Sequence, residues 1–316
     1  MARPGDTNNI ERLRIGTRGS VLAMAQAHEL RACILAANPG TIGQIEIVAI
    51  STRGDRVQTR QLSEIGGKGL FTQEIEEQLA DGRIDVAVHS TKDMPTVLPD
   101  GLELSCFLQR YSAADAFVSQ KAASLASVPK GATIGSSSLR RQALIKRVRP
   151  DLHVIGFRGN VDSRLRKLTV GVADATLLAE AGLQRLGLAH HIAAIMPLDT
   201  FPPAPGQGAI CVETRIGDAA IGKLLSGVNH SATQTMIACE RAFLAGLDGS
   251  CRTPIAANAV IVADIIDFHG MIISPDGTQA HETRMSGNIA DALAIGTEAA
   301  LLLRREAGTG FFDSWK

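Results

Sequence analysis

Between Arg140 and Lys167 the chain sets Arg140, Arg141, Lys146, Arg147, Arg149, Arg158, Arg164, Arg166 and Lys167 against only Asp151 and Asp162. A guanidinium fork grips carboxylates and phosphates with two parallel hydrogen bonds, so this run is a candidate anion site. Ser136-Ser137-Ser138 stands directly before it and opens a predicted helix. A helix N-terminus offers free N–H groups and the positive end of its dipole to an anion. Arg158-Gly159-Asn160 repeats the arrangement at the next predicted strand-to-helix turn. The competing reading is a solvated basic helix face. That reading suits Arg147 and Arg149. The turn positions of Arg140, Arg141, Arg158 and Arg164 favour anion binding, because ligands of open α/β sheets bind at the carboxyl ends of strands.

His89-Ser90-Thr91-Lys92-Asp93-Met94-Pro95 ends an apolar predicted strand with a polar run. Pro95 forces Met94 to be extended. An Asp at such a strand end steadies a cation or moves a proton; a capping Asp in a turn fits the spacing equally well. Gly66-Gly67-Lys68-Gly69 fails the phosphate-loop pattern, since Leu62 and Gly69 stand where Gly and Ser or Thr are required. Its glycines suit a mobile cover over a site. Gly16 and Gly19 do not make a dinucleotide fingerprint. The five cysteines include no C-x-x-C, which argues against a disulfide framework or a zinc knuckle. Cys33, Cys106, Cys211 and Cys239 fit apolar helix or strand positions. Cys251 lies in the polar loop Gly249-Ser250-Cys251-Arg252-Thr253-Pro254, beside an Arg that favours its thiolate. No His follows in triad-like context. His190-His191 has no ligand spacing around it, so no metal site is expected.

The elements that position these residues follow from periodicity. Strands are predicted at 12–17, 44–51 and 84–89, with helices at 21–37, capped by Ser20, and 71–80; a loop spans 52–69. This β-α-β-α-β order implies a parallel sheet. A second α/β unit has strands at 116–119, 132–135, 152–157 and 175–178, with helices at 139–148, 161–168 and 181–186. A strand at 209–213 is read as returning to the first sheet. Beyond Asn229 come a helix at 230–247, two strands at 257–262 and 265–273, and a final amphipathic helix at 289–305. The expected organisation is three domains. The first is a discontinuous α/β lobe, residues 1–108 and 208–227; the second is the lobe 109–207; the third is α+β, residues 228–316.

Composition narrows the function classes. The 316 residues suit two or three domains at roughly 100–200 residues each. Apolar residues make up 45% and charged residues 20%, which excludes general disorder. No run approaches the roughly 18 apolar residues of a membrane span, and the N-terminal Met-Ala-Arg-Pro-Gly-Asp has no apolar core of a signal peptide, so a cytoplasmic location is expected. Net charge is zero, with 32 bases against 32 acids, and aromatics are 3%. Both facts disfavour a nucleic-acid surface. The bases are 24 Arg and 8 Lys, and the arginines cluster.

Eight segments in order resemble the porphobilinogen deaminase (hydroxymethylbilane synthase) family. They are Thr17-Arg18-Gly19-Ser20, Gly66–Phe71, His89–Pro95, Gly135–Gln142, Arg158–Val161, Ala181–Gly187, Pro205–Ala209 and Gly249–Cys251. The resemblance runs from about Arg14 to the final helix. It implies two doubly wound lobes like those of periplasmic binding proteins, plus a smaller C-terminal α+β domain carrying the cofactor loop. It implies a transferase that joins four porphobilinogen molecules head to tail, losing ammonia each time, and releases hydroxymethylbilane for haem biosynthesis. It implies a dipyrromethane cofactor on Cys251, built from two porphobilinogen units. Asp93 maps onto the central catalytic carboxylate, with Lys92 and Arg158 beside it in catalysis. Lys92, Asp93, Ser136, Ser138, Arg140, Arg141, Arg158 and Arg164 map onto cofactor-binding positions. Arg18, Ser20, Lys68, Phe71, Arg158, Arg185 and Gln207 map onto substrate-binding positions. The family also implies a monomer without nucleic-acid or membrane partners. Glu64 stands where some members carry Lys, so that role is not carried over; Ser136 replaces a Thr and keeps the hydroxyl; Glu180 sits where smaller residues are usual, without explanation. The alternative is a non-enzymatic, two-lobed module for anionic small molecules, which would need neither Cys251 nor Asp93.

Overall fold

The computed structural model describes residues 10–56, 71–249, 253–313 and 315. The chain begins with β1 (Ile10–Arg18), α1 (Val21–Ala37), β2 (Ile42–Ile50), α2 (Arg53–Arg56), α3 (Gln73–Ala80), β3 (Val86–Ser90) and β4 (Leu102–Phe107). It continues through β5 (Asp115–Ser119), β6 (Thr133–Gly135), α4 (Leu139–Val148), β7 (His153–Ile155), α5 (Val161–Thr169), β8 (Ala175–Ala179), α6 (Glu180–Arg185) and β9 (Ala194–Ile195). β10 (Ile210–Arg215), α7 (Ala219–Ser226) and α8 (Ser231–Gly246) follow. β11 (Ile255–Val262), β12 (Ile265–Ile273), β13 (Ala280–Asn288) and α9 (Ala292–Asp313) complete the chain.

Three sheets result. The first has the order β2-β1-β3-β10-β4, the second β7-β6-β8-β5-β9, the third β11-β12-β13. β1 is parallel to β2 and β3, whereas β10 is antiparallel to β3 and β4. β6 is parallel to β7 and β8, and β5 is antiparallel to β8. The third sheet is antiparallel throughout. The chain therefore crosses twice between the first two sheets, outward after β4 and back before β10.

Alternation of side chains builds the first sheet's two faces. Leu13, Ile15, Val86, Val88, Ile210 and Val212 point to one core, which Ala27, Leu30 and Ile34 of α1 complete. Ala87 and Ile50 point the other way, against Ile75 and Leu79 of α3. Both faces are apolar because helices cover both. In the second lobe, α4 buries Ala143, Leu144 and Ile145 against Phe117, Ile134 and Leu177. The third sheet buries one face under α8 and α9, with Phe243 and Phe268 edge to face at 5.1 Å. Ala256, Met271 and Ile273 of that sheet join the second lobe's core. Gly277, in the β12–β13 turn at φ +78°, lies against α4 where a Cβ would stand 2.6 Å from the Ala143 carbonyl oxygen. Ile237 of α8 packs on Met94, Phe107 and Cys211 of the first lobe. The third unit thus touches both lobes.

Two strands have weak signals in the sequence. β13 alternates half-buried and exposed positions and reads His-Glu-Thr-Arg-Met-Ser-Gly, with little apolar content. β4 interrupts its apolar residues with Glu103 and Ser105. The final helix also runs on to Asp313, past a non-helical Gly308 at φ +70°. Among the described residues, no helix is long and apolar enough to cross a membrane.

Candidate active site

β3 delivers the first part of the site. It ends at Ser90 and passes into a single 3-10 turn, Thr91–Asp93, before Met94 turns extended at ψ 137° ahead of Pro95. Three contacts hold this turn. The Thr91 amide donates to the Ala209 carbonyl at 3.1 Å. Ser90 Oγ and the Gln26 amide of α1 lie 2.9 Å apart. Arg241 of α8 donates to the Pro95 carbonyl at 2.8 Å. Gly206, at φ +76°, packs on the turn; a Cβ there would meet the Lys92 amide nitrogen at 3.1 Å.

Lys92 and Asp93 open into a cleft of about 100 Å³, which Arg18, Ser20, Phe71, Thr72 and Ser90 also line. Arg18 leaves β1 and stacks over the Phe71 ring at 4.3 Å. Ser20 caps α1, accepting from the Ala23 amide at 3.3 Å. The cleft therefore combines one carboxylate, two cations and an aromatic face. Behind it, His89 Nε2 lies 3.1 Å from Glu213 Oε2, both buried. Burial pushes the nearby Glu76 carboxyl up.

The second lobe supplies the facing cations. Ser138 caps α4, accepting from the Arg141 amide at 3.4 Å, and Ser136 Oγ accepts from the Ser138 amide at 3.3 Å. Arg140 and Arg141 are buried. The sequence reads these two positions as anion-binding, and the anion both meet in this structure is an internal one. Arg140 Nη2 donates to Asp115 Oδ2 at 2.8 Å, and Nη1 to the Pro202 carbonyl at 2.8 Å. Arg141 Nη2 and Nε donate to Asp115 Oδ1 at 2.6 and 3.1 Å, and Nη1 to the Leu177 carbonyl at 2.9 Å. The reason is energetic: a guanidinium taken out of water without an anion is costly, and Asp115 is the buried anion within reach. Burial alone would raise the Asp115 carboxyl, but the two guanidiniums outweigh it and hold it well below the usual carboxylate range.

Gln207 joins the two lobes. Its Nε2 donates to the Ala113 carbonyl at 2.7 Å and to Asp115 Oδ1 at 2.9 Å. Its Oε1 accepts from Lys92 Nζ at 3.2 Å and from Arg141 Nη2 at 3.4 Å. Burial and the Arg141 charge pull the Lys92 ammonium down to about 8, against Asp93 and Asp115, which favour its charge. Burial and Arg141 likewise lower Arg164 to about 10, with Asp93 opposing them. Arg158 Nη1, Arg164 Nε and Arg140 Nε are buried without a hydrogen-bond partner among the described residues. Buried N–H groups of this kind normally have an acceptor, so these donors fit a ligand that brings carboxylates.

The remaining predicted residues divide. Arg185 turns to Glu29 of α1, with Nε 2.8 Å from Oε2, and stacks over Tyr111 at 4.5 Å. Its fork too is met by an internal carboxylate, although Nη2 stays unpartnered among the described residues. Arg147 is exposed, as a basic surface position should be. Arg149 is not: it donates to the carbonyls of Leu125, Ala126 and Val128 and pairs with Asp151 at 2.7 Å, tying a loop to the end of α4. Lys68, Glu64 and Cys251 lie outside the described residues. Cys106, Cys211 and Cys239 are buried, and burial pushes each thiol up to about 12. Asp115, Glu29 and the His89–Glu213 pair were not singled out by sequence. Asp115 had a signal, a lone acid in the apolar run Ala113-Ala114-Asp115-Ala116-Phe117-Val118, which demands a buried partner.

Comparison with known proteins adds the following. Residues 13–223 match the model of "Porphobilinogen deaminase, dipyromethane cofactor binding domain", and residues 234–305 that of "Porphobilinogen deaminase, C-terminal domain". A porphobilinogen deaminase of Nitrobacter hamburgensis is 53% identical over 312 residues, covering 99% of this chain and 98% of that one. Among solved structures, a periplasmic substrate-binding protein of a Coxiella burnetii ABC transporter gives a TM-score of 0.43 at 15% identity, over 72% of this chain and 96% of that one. The methionine-binding protein MetQ gives 0.43 at 14%, over 71% and 89%.

Proposed function

The chain belongs to the porphobilinogen deaminase family, and from that premise we propose which of its residues carry the reaction. The activity is a transferase's: four porphobilinogen molecules are joined head to tail with loss of ammonia, and hydrolysis releases hydroxymethylbilane. The cofactor is dipyrromethane, which when bound supplies the pyrrole carbon to which the first substrate unit is joined.

Asp93 is the catalytic carboxylate. Loss of ammonia from the substrate's aminomethyl carbon leaves a cationic pyrrole, and attack by a neighbouring ring gives a second cation. A carboxylate beside the pyrrole N–H groups stabilises both more than the neutral ground state. Asp93 also moves protons: it gives one to the departing amine and takes up the one that the attacking ring carbon loses as the pyrrole re-forms. Arg158 and Arg164, with buried N–H groups to spare, hold the acetate and propionate groups, and Lys92 holds a carboxylate beside Asp93. Arg140 and Arg141 add positive potential from behind, with Ser136 and Ser138 fixing the start of α4. Arg18, Ser20, Lys68, Arg185 and Gln207 hold the incoming substrate, against the face of Phe71. Cys251 is the attachment point, the chain acts as a cytoplasmic monomer, and the three domains are those bounded at 108, 207 and 227.

The observation that supports this reading best is the convergence of unpartnered buried guanidinium N–H groups with Lys92 and Asp93. The test is the denatured intact mass of the purified chain, before and after incubation with porphobilinogen, with peptide mapping. An excess equal to two porphobilinogen units less two ammonia molecules, on Cys251 and absent from Cys251→Ser, is expected. No excess after incubation would overturn it in favour of a binding module.

A further inference from the structure

We propose that Asp115 is a positioning residue of this reaction, a buried carboxylate that aims the second lobe's arginine forks and, through Gln207, keeps Lys92 cationic beside Asp93. The inference rests on the reading above that Lys92 and the arginines serve carboxylate groups.

Asp115 is the first residue of β5, fully buried where the chain enters the second lobe. Its carboxylate can only accept hydrogen bonds, and this decides the orientation of everything around it. The NH2 end of Gln207 must face it, which turns Gln207 Oε1 to Lys92 Nζ. That oxygen can only accept, so Lys92 must donate. One carboxylate thus fixes an amide, the amide fixes an amine, and the chain of contacts runs from the second lobe to the catalytic turn of the first.

The charge arithmetic points the same way. Lys92 is faced by Arg140 and Arg141 of α4, by Asp115 of β5 and by Asp93 on its own turn; Arg164 of α5 faces Asp93 and Arg141. Here two guanidiniums share one carboxylate, which leaves a surplus of positive charge for a ligand to neutralise. Remove Asp115 and Lys92 meets the same cations with only Asp93 to oppose them. Its proton would then leave at lower pH, because like charges disfavour the charged form.

The experiment uses the holoenzyme as wild type, Asp115→Asn and Gln207→Glu. kcat/KM for porphobilinogen is followed from pH 6 to 10, and the Lys92 amine is titrated in parallel by trace reductive methylation with peptide mass analysis. Wild type should lose activity, and Lys92 should gain reactivity, near pH 8. Asp115→Asn should move both curves to lower pH by about 0.5–1 unit, and Gln207→Glu should move both to higher pH by a similar amount. A merely structural Asp115 lowers activity at every pH and moves neither curve; unmoved curves in both variants would overturn the proposal. If Asp115→Asn does not fold, Gln207→Met, which cuts the link between Asp115 and Lys92 without adding a charge, decides instead: a shift of the Lys92 titration to lower pH supports the proposal and an unmoved curve overturns it. If wild type converts no porphobilinogen, the functional reading fails separately, and the Lys92 titration still decides whether Asp115 sets its charge.

Discussion

A half-buried carboxylate stabilises a neighbouring cation more than one in open water, because less solvent screens the pair. Asp93 is such a group, and Asp93→Asn keeps its shape while removing its charge. The expected loss is about 10²–10³-fold in kcat, the usual effect of deleting one well-placed electrostatic contact. Single-turnover kinetics check it, with a melting curve that stays near wild type. The arginines differ by burial rather than by type. Arg141→Ala breaks a buried pair and should cost about 3–5 kcal/mol of stability, together with cofactor retention. Arg147→Ala, on the exposed face of the same helix, should stay within about 0.5 kcal/mol. Urea unfolding and intact mass of the two variants separate them; equal effects would contradict the burial argument. Asp115 also sets an acid limit. Its carboxyl is held below the ordinary value near 3.9, so the stability it contributes is complete above about pH 4 and disappears as pH falls through the folded value. The gap in unfolding free energy between wild type and Asp115→Asn should be constant above about pH 5 and narrow below pH 4.

The elements present these side chains through their ends. β1, β3, β6 and β7 all finish in polar turns, and a serine or asparagine cap starts the helix after three of them: Ser20 for α1, Ser138 for α4 and Asn160 for α5. Each cap satisfies one amide of the first turn. In α4 and α5 the capped turn also places the arginines that follow it, Arg140 and Arg141 after Ser138 and Arg164 after Asn160. Ser138→Ala should therefore cost about 1 kcal/mol, read as a lower urea midpoint. It should also weaken the retention of cofactor, since the first turn of α4 frays where the forks begin.

At the scale of the whole molecule, a single carboxylate joins the three units. Glu240 of α8 is fully buried and accepts from Arg110 Nη1 at 2.6 Å, from the Gly206 amide at 2.6 Å and from the Ala259 amide at 2.8 Å. Arg110 and Gly206 lie on the two crossings between lobes, and Ala259 on the third sheet. Arg110 also donates to the Gln207 carbonyl at 2.9 Å, so the hub lies one residue from the contact that reaches Lys92. Glu240→Gln leaves the Arg110 charge buried without its anion, which should cost about 3–5 kcal/mol. It should also broaden the unfolding transition as the third unit loosens from the lobes. Urea titration followed by near-ultraviolet signal and by limited proteolysis would show it; one sharp transition at the wild-type midpoint would contradict the hub.

Periodicity in the sequence determined most of the helices and inner strands. The 139–148 helix with its Ser138 cap and the 21–37 helix with its Ser20 cap have the predicted limits. The ordered motifs from Thr17-Arg18 to Gly249-Ser250-Cys251 were enough to identify the family. Weakly patterned edge strands such as Ala280–Asn288 were not legible, because an edge strand with one wet face needs few apolar residues. Nor were the partners of the arginines. A fork reads the same in sequence whether it waits for a substrate carboxylate or closes on Asp115 or Glu29. Only the tertiary structure decides between them, since it alone brings residues 25 to 156 positions apart within hydrogen-bond distance and removes the water that would otherwise compete.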